Sequence, residues 1–174
     1  VWVDPKYLGY KPFYEKWIRT RCGDKRESES EALTEYFERY LEKTVQYVCD
    51  AVIDGEIVER LSLVIPMTKI GLTMQLCTMF DAALPPTQEY TTDVIESMYM
   101  FSMTWSLGGT VVGNCREAFS EFMKNISQTS MPSGSLYEHF YDTETMRWEH
   151  WKTKVADYVQ PSPFKFSKIL VPTS

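Results

Sequence analysis

Between residues 31 and 52 the apolar side chains recur every three or four positions, and this spacing constrains the fold more than any other feature of the chain. Acidic residues crowd the start of the stretch, where the positive end of a helix dipole favours them. The pattern predicts an amphipathic helix from Glu31 to about Val52, with an apolar stripe that other elements must cover. The stripe consists of Leu33, Phe37, Leu41, Val45, Val48 and Val52.

A second helix is predicted from Thr68 to about Leu84, where Pro85-Pro86 ends it. Between the two helices lie a polar turn at Gly55 and a short apolar connector, Leu61 to Ile65, which Pro66 keeps from continuing as a helix. The residues expected to face inward are Ile70, Met74, Cys77, Phe80 and Leu84.

Two more helices complete the predicted bundle. One begins at Thr92 or Asp93 and runs to Gly108-Gly109, and its apolar residues on most faces are typical of a central, buried helix. The other begins at Asn114, with Glu117 three residues later as in a capping box. Its apolar stripe is expected to contain Ala118, Phe119, Phe122, Met123 and Ile126.

The C-terminal part has a different pattern. Two aromatic segments, Tyr137–Tyr141 and Met146–Trp151, flank a turn at 142–145, which predicts a β-hairpin, and an extended apolar segment from Phe164 to Val171 follows. The predicted fold class is mainly α, a helical bundle with a small β-hairpin near the C-terminus. Its parts would be an opening segment with a first short helix (1–30), the bundle (31–127), and the hairpin with its extended tail (128–174).

The first 26 residues mix seven cations with aromatic side chains, a composition that can bind single-stranded nucleic acid. The alternative is a short helix with Pro12 in its first turn and an apolar stripe of Phe13, Trp17 and Ile18. The helix is favoured because acidic residues follow at once and the net charge is −6. No nucleic acid is expected as a partner, and no membrane either, since polar residues interrupt the longest apolar-rich stretch, Val94 to Leu107.

The residues offer little chemistry of their own. No glycine precedes a lysine, so the phosphate loop of ATP hydrolases is absent. His139 and His150 could face each other across the hairpin, or a carboxylate such as Asp142. Partly exposed strand histidines are the favoured interpretation, because no third metal ligand is evident by spacing. The four cysteines lack zinc-site spacing and are expected to be reduced thiols of an intracellular protein. The chain opens at Val1 without Met or a signal peptide, which predicts a piece of a longer protein.

Arg116 stands out because it falls in the predicted first turn of the helix that follows the Gly-rich break. A cation at that position opposes the helix dipole and usually needs an anionic partner. Either Arg116 is solvated or paired with a nearby acid, or it supplies a phosphate contact to a neighbouring nucleotide site. The residues by themselves leave both interpretations open.

Several short pieces are informative through their order and spacing. They are Val3-Asp4-Pro5 with Leu8-Gly9-Tyr10, Ile65-Pro66 before Leu76-Cys77, Trp105-Ser106-Leu107-Gly108-Gly109 before Arg116, Phe119 and Phe122, Tyr137 to Phe140 with Asp142, Glu144-Thr145, Trp148 and Trp151, and the tail Ile169 to Thr173. Over essentially the whole chain they resemble the heavy chain of dynein, in the region that follows the second AAA+ module of the motor ring and leads into the third. The segment Asp54–Arg60 looks more similar to axonemal than to cytoplasmic heavy chains.

The resemblance implies a lid, the small helical subdomain that closes a nucleotide site between its own AAA+ module and the next one. It implies that Arg116 senses nucleotide phosphate and that Pro5 and Leu8 pack near the adenine, with no catalytic residue in the fragment. ATP or ADP with Mg would be bound by the parent module, and none by the fragment alone. The implied partners are adjacent AAA+ modules, other dynein subunits and microtubules. The implied location is cytoplasmic, in the cytoskeleton of the cilium axoneme.

Two other classes of function stay open at this point. A stand-alone helical interaction module would dock a protein partner through exposed aromatic residues, and a native polypeptide close to this length would favour it. Those aromatic residues are Tyr7, Tyr10, Trp148 and Trp151. An enzyme that used a histidine or a thiol would lose activity when those side chains are modified.

Overall fold

The structure is a computed structural model that describes residues 9–156. Its α-helices are α1 Lys11–Cys22, α2 Glu27–Tyr36, α3 Glu42–Val45, α4 Lys69–Ala83, α5 Thr92–Ser106 and α6 Arg116–Ile126. Two antiparallel strand pairs accompany them, β1 Val52–Ile53 with β2 Glu56–Ile57 and β3 His139–Asp142 with β4 Arg147–His150. The predicted mainly α fold is confirmed. Within the described residues, no helix combines the length and the apolar character that a membrane crossing needs.

The first long predicted helix spans 27–50, so it begins four residues earlier than expected. Its winding changes three times, because π-helical segments at Phe37–Leu41 and Gln46–Asp50 alternate with α2 and α3. The predicted apolar stripe is buried except for Val52, which is half-buried in β1. Ala51 ends the helix in the left-handed conformation, with φ of 57°.

α5 is the central helix, as its apolar composition predicts. Eleven of its fifteen residues are buried, and it packs against α2, α4, α6 and β3. Tyr99 lies at the middle of a cluster of rings, with its ring centre 5.2 Å from that of Phe37 and 6.3 Å from that of Phe80. The bundle therefore closes around one helix that is buried on most of its faces.

The short helix predicted near the N-terminus is α1, which has Pro12 in its first turn. Ile18 is buried as expected, whereas Phe13 and Trp17 are only half-buried. The buried face also includes Arg21, which the apolar pattern did not identify. α1 packs on α2 and α4.

Several details of the predicted helices are wrong. Met74 was expected to face inward and is 47% exposed, because α4 has apolar residues on most faces and its spacing does not select one of them. Ala118 is exposed on α6. Asn114 does not cap α6, since it lies inside the 3-10 turn Gly113–Cys115. α6 begins directly after this turn, at Arg116.

The strand pair β1–β2 was not predicted at all. Its turn is Asp54-Gly55, and both residues have positive φ, 49° and 87°, as the two-residue hairpin turn with the twist of the strands requires. The predicted C-terminal hairpin is β3–β4, in which His139 pairs with His150. Its turn is held by Asp142, whose carboxylate accepts the N–H of Glu144 at 2.8 Å.

Candidate functional site

The loop between α5 and α6 is held in place by the connector that precedes α4. The N–H of Val64 donates to the carbonyl of Thr110 at 2.9 Å, and the N–H of Val112 donates to that of Ser62 at 2.8 Å. Leu63 and Val111 form a β-bridge between these two bonds. The apolar connector thus fixes the backbone from which α6 starts.

Gly108, where α5 gives way to this loop, lies where a side chain has no room. A β-carbon there would lie 2.4 Å from the ring of Phe119 and 2.6 Å from the hydroxyl oxygen of Tyr137. That hydroxyl donates to the carbonyl of Gly108 at 2.9 Å. Glycine is needed at this position because the side chains of Phe119 and Tyr137 pack directly against the backbone at the end of α5.

Arg116 is the first residue of α6 and so lies in the first helical turn, where it was predicted, and it is exposed. Its Nε donates to the carbonyl of Val111 at 3.4 Å, and the centre of its guanidinium lies 5.1 Å from the ring centre of Tyr137. No carboxylate of residues 9–156 is within ion-pair distance of it. Within the described chain, the guanidinium is oriented without being neutralised, so its charge is available to an external anion.

Tyr137 is a neutral hydrogen-bond donor at neutral pH. Burial raises the pKa of its phenol well above the usual range, and the nearby Arg116 charge lowers it by a smaller amount. The hydroxyl therefore keeps its proton and its bond to the Gly108 carbonyl over any physiological pH.

The other predicted site residues, Pro5 and Leu8, lie outside the described residues, and so does the predicted extended segment from Phe164 to Val171. The structure does not test these predictions. Tyr137 was not predicted as a part of the Arg116 site, because residues far apart along the chain show no common spacing. The Gly108-Gly109 break was the one local signal that marked the place.

The two histidines do face each other, with ring centres 5.2 Å apart. Nδ1 of His139 lies 2.9 Å from the carbonyl of Ser135, and Nδ1 of His150 accepts the N–H of Lys152 at 3.0 Å. In residues 9–156 no group of three or more His, Cys, Asp or Glu side chains could hold a metal ion. The hydrogen bonds are those of a structural pair at the end of the hairpin.

The buried thiols have the wrong electrostatics for a nucleophile. Burial raises the pKa of Cys22 to about 11 and that of Cys77 to about 12, so both are protonated at neutral pH. All four cysteines are free, and Cys49 and Cys115 are half-buried. Arg116 and its surroundings are consequently the best-supported candidate site.

Comparison with known proteins identifies the family. Residues 33–153 match the model of the dynein heavy chain AAA lid domain. The dynein-1-alpha heavy chain of the flagellar inner arm I1 complex of Chlamydomonas reinhardtii is 30% identical over 189 aligned residues, which cover 99% of this chain and 4% of that protein. Human dynein axonemal heavy chain 10 is 28% identical over 99% of this chain, and pig dynein axonemal heavy chain 11 is 24% identical over 100% of it, each again at 4% of the relative's length.

The chain thus spans about 4% of the length of the curated relatives it matches. The flagellar and axonemal names of these relatives confirm the axonemal assignment, and with it the expected location in the ciliary cytoskeleton. Because the family model covers well over half of the chain, including Arg116, Gly108 and Tyr137, the chain belongs to the dynein heavy chain AAA lid domain family.

Proposed function

We propose that this chain is the lid of the second AAA+ module in an axonemal dynein heavy chain and that it leads into the third module. Membership of the AAA lid family supports the motor-ring part of this proposal. The pieces of sequence around Trp105–Gly109 and Tyr137–Phe140 support the position within the ring. In this proposal residues 31–127 form the lid bundle and 128–174 connect it to the next module.

The observation that carries the proposal is the geometry of Arg116. An exposed guanidinium sits on the first turn of α6, is oriented by the Val111 carbonyl and the Tyr137 ring, and has no carboxylate partner among the described residues. A planar guanidinium can donate two parallel hydrogen bonds to phosphate oxygens, and such charge-assisted bonds are the strong ones. We infer that Arg116 contacts the phosphates of a nucleotide held between lid and module.

In this proposal the fragment contacts the nucleotide and changes its orientation, while the parent module supplies the phosphate loop that holds the nucleotide. Pro5 and Leu8 would pack near the adenine, and ATP or ADP with Mg would be held by the phosphate loop of the parent module. Binding of nucleotide would favour the lid orientation in which Arg116 reaches phosphate, so the lid would transmit site occupancy to the next module. Adjacent modules are then the direct partners, while other dynein subunits and microtubules are partners of the parent heavy chain.

Photolabelling of the intact heavy chain with a Mg complex of azido-ATP tests the role of Arg116. Peptides from this segment are quantified by mass spectrometry as the nucleotide concentration rises, so that this site is measured separately from any other. In Arg116→Ala we expect the concentration for half-maximal labelling to rise about tenfold or more, since hydrogen bonds to a charged group are lost. The half-maximal concentration for Arg116→Lys should fall between those of wild type and Arg116→Ala, because lysine keeps the charge and loses the paired N–H donors of the guanidinium.

The matched control is Arg19→Ala, which removes an exposed arginine of α1 far from α6 in the sequence. An unchanged labelling curve in Arg116→Ala would remove Arg116 from the site. Label recovered only on peptides that lack Pro5 and Leu8 would separately refute their place near the adenine.

A further inference from the structure

We propose that Tyr137 is a positioning residue for Arg116. The Tyr137 ring holds the Arg116 guanidinium at the start of α6 and so presents the guanidinium to phosphate. This inference rests on the proposed function of Arg116 and names the residue on which that function depends.

The ring of Tyr137 is fixed at three points. Its hydroxyl donates to the Gly108 carbonyl at 2.9 Å, its edge meets the ring of Trp105 at 5.9 Å and 78°, and the guanidinium of Arg116 lies 5.1 Å from its centre. Because the hydroxyl is anchored at one end, the ring cannot swing away without breaking a bond. The Tyr137 ring is therefore held in place as a platform under Arg116, although Arg116 itself is exposed.

Arg116 needs such a platform for two physical reasons. A long arginine side chain at the surface occupies many rotamers, and ordering it on binding lowers affinity unless it is ordered beforehand. A cation on the first turn also opposes the helix dipole. The negative face of an aromatic ring compensates part of that cost and limits the rotamers, and it leaves the N–H groups unoccupied by any carboxylate of the described residues.

The platform also joins Arg116 to the hairpin. Tyr137 belongs to a 3-10 turn, Leu136–Glu138, that runs directly into β3. Trp105, which the Tyr137 ring touches, meets Trp151 edge to face at 6.1 Å just after β4. A shift of the hairpin against α5 would therefore move the ring on which the guanidinium rests.

The test uses the same azido-ATP labelling of the intact heavy chain. Tyr137→Leu removes the ring, and we expect the half-maximal concentration to rise about two- to fivefold, the range that a surface cation–π contact supports. Tyr137→Phe keeps the ring but removes the hydrogen bond that anchors it to Gly108, so its curve should lie between those of wild type and Tyr137→Leu. Tyr141→Leu is the matched control, because it deletes a half-buried tyrosine of β3 that packs on Trp148 rather than on Arg116.

A double variant separates positioning from general support of the fold. In the Arg116→Ala background, Tyr137→Leu should cause no further change, because the ring acts only through the guanidinium. An undiminished loss in that background, or a loss in Tyr137→Phe as large as in Arg116→Ala, would overturn the inference. A full effect of Arg116→Ala with none from Tyr137→Leu would overturn it and leave the proposed function standing. No effect of Arg116→Ala would overturn both.

Discussion

At the scale of single residues, Arg21 is a buried charge that joins three helices of the bundle. Its side chain is 2% exposed, and it donates to Glu29 at 2.7 Å, to Asp81 at 2.5 Å and to the carbonyl of Leu84 at 2.7 Å. Asp81 also accepts the indole N–H of Trp17 at 2.7 Å. One guanidinium thus ties α1 to α2 and α4. The sequence pattern could not show this, because the partners lie up to about sixty residues away.

Removal of Arg21 should be costly. In Arg21→Met we expect the free energy of unfolding of the chain to fall by about 3–5 kcal/mol, since Glu29, 5% exposed, loses its close partner. Urea denaturation followed by circular dichroism measures it. Arg19→Ala, on the exposed face of the same helix, should change stability by less than about 0.5 kcal/mol. A loss below about 1 kcal/mol in Arg21→Met would show that Arg26, whose Nη1 is 3.6 Å from the Glu29 carboxylate, is sufficient for Glu29.

At the scale of elements, local periodicity located the helices and did not determine their winding. Leu33, Phe37, Leu41 and Val45 are each four positions apart, and in a pure α-helix each step of four turns the stripe by about 40°. The π-helical segment Phe37–Leu41 takes more residues per turn, so it returns the stripe to the core. The spacing therefore predicted which residues are buried here. It did not predict the π-helical winding, because that winding depends on how the stripe packs against the rest of the core.

The junction between α5 and α6 provides the test at this scale. Gly108→Ala should lower the free energy of unfolding by about 1–3 kcal/mol, because the added methyl group overlaps the Phe119 ring and the Tyr137 hydroxyl. Gly109→Ala is the matched control, since no atom lies within 4 Å of its added carbon, and it should change stability by less than about 0.5 kcal/mol. Thermal and urea unfolding of both variants measure these two changes in the free energy of unfolding. Equal effects would mean that the close approach at Gly108 relaxes freely.

At the scale of the whole molecule, the order and type of the helices followed from the sequence, and the contacts that build the candidate site did not. Arg116 could be chosen because a cation on a first helical turn is a local signal. Tyr137 could not, because its place beside Arg116 depends on how the hairpin docks on α5. The hairpin β1–β2 was not predicted, although Asp54-Gly55 is a strong local signal for a two-residue hairpin turn.

The whole fold should lose stability in alkaline solution. Cys22 and Cys77 have an ordinary pKa of 9.0, and burial raises their folded pKa values to about 11 and about 12. Above pH 9 the unfolded chain releases thiol protons that the folded chain keeps, so the free energy of unfolding falls as pH rises from about 9 toward 11 or 12. Below about pH 8 these thiols contribute no pH dependence.

Each thiol should contribute a slope of at most about 1.4 kcal/mol per pH unit in that window. Urea unfolding between pH 8 and pH 10.5 measures it, with stability at pH 7 as the baseline for each variant. The double variant Cys22→Ala/Cys77→Ala should be less stable at pH 7, because of its cavities, and should show a shallower decline above pH 9. Equal slopes in the two proteins would contradict the assignment.

The central position of α5 has a consequence for the folding of this chain during its synthesis on the ribosome. The elements that enclose α5 come from both directions along the chain, with α2 and α4 before it and β3 and Trp151 after it. At about 5–20 residues per second, the stretch from Ser106 to Trp151 takes roughly 2 to 9 seconds to synthesise. During that interval α5, of whose fifteen residues eleven are buried in the finished fold, lacks part of its cover. We therefore expect chaperone protection of the nascent chain to matter most while this segment emerges.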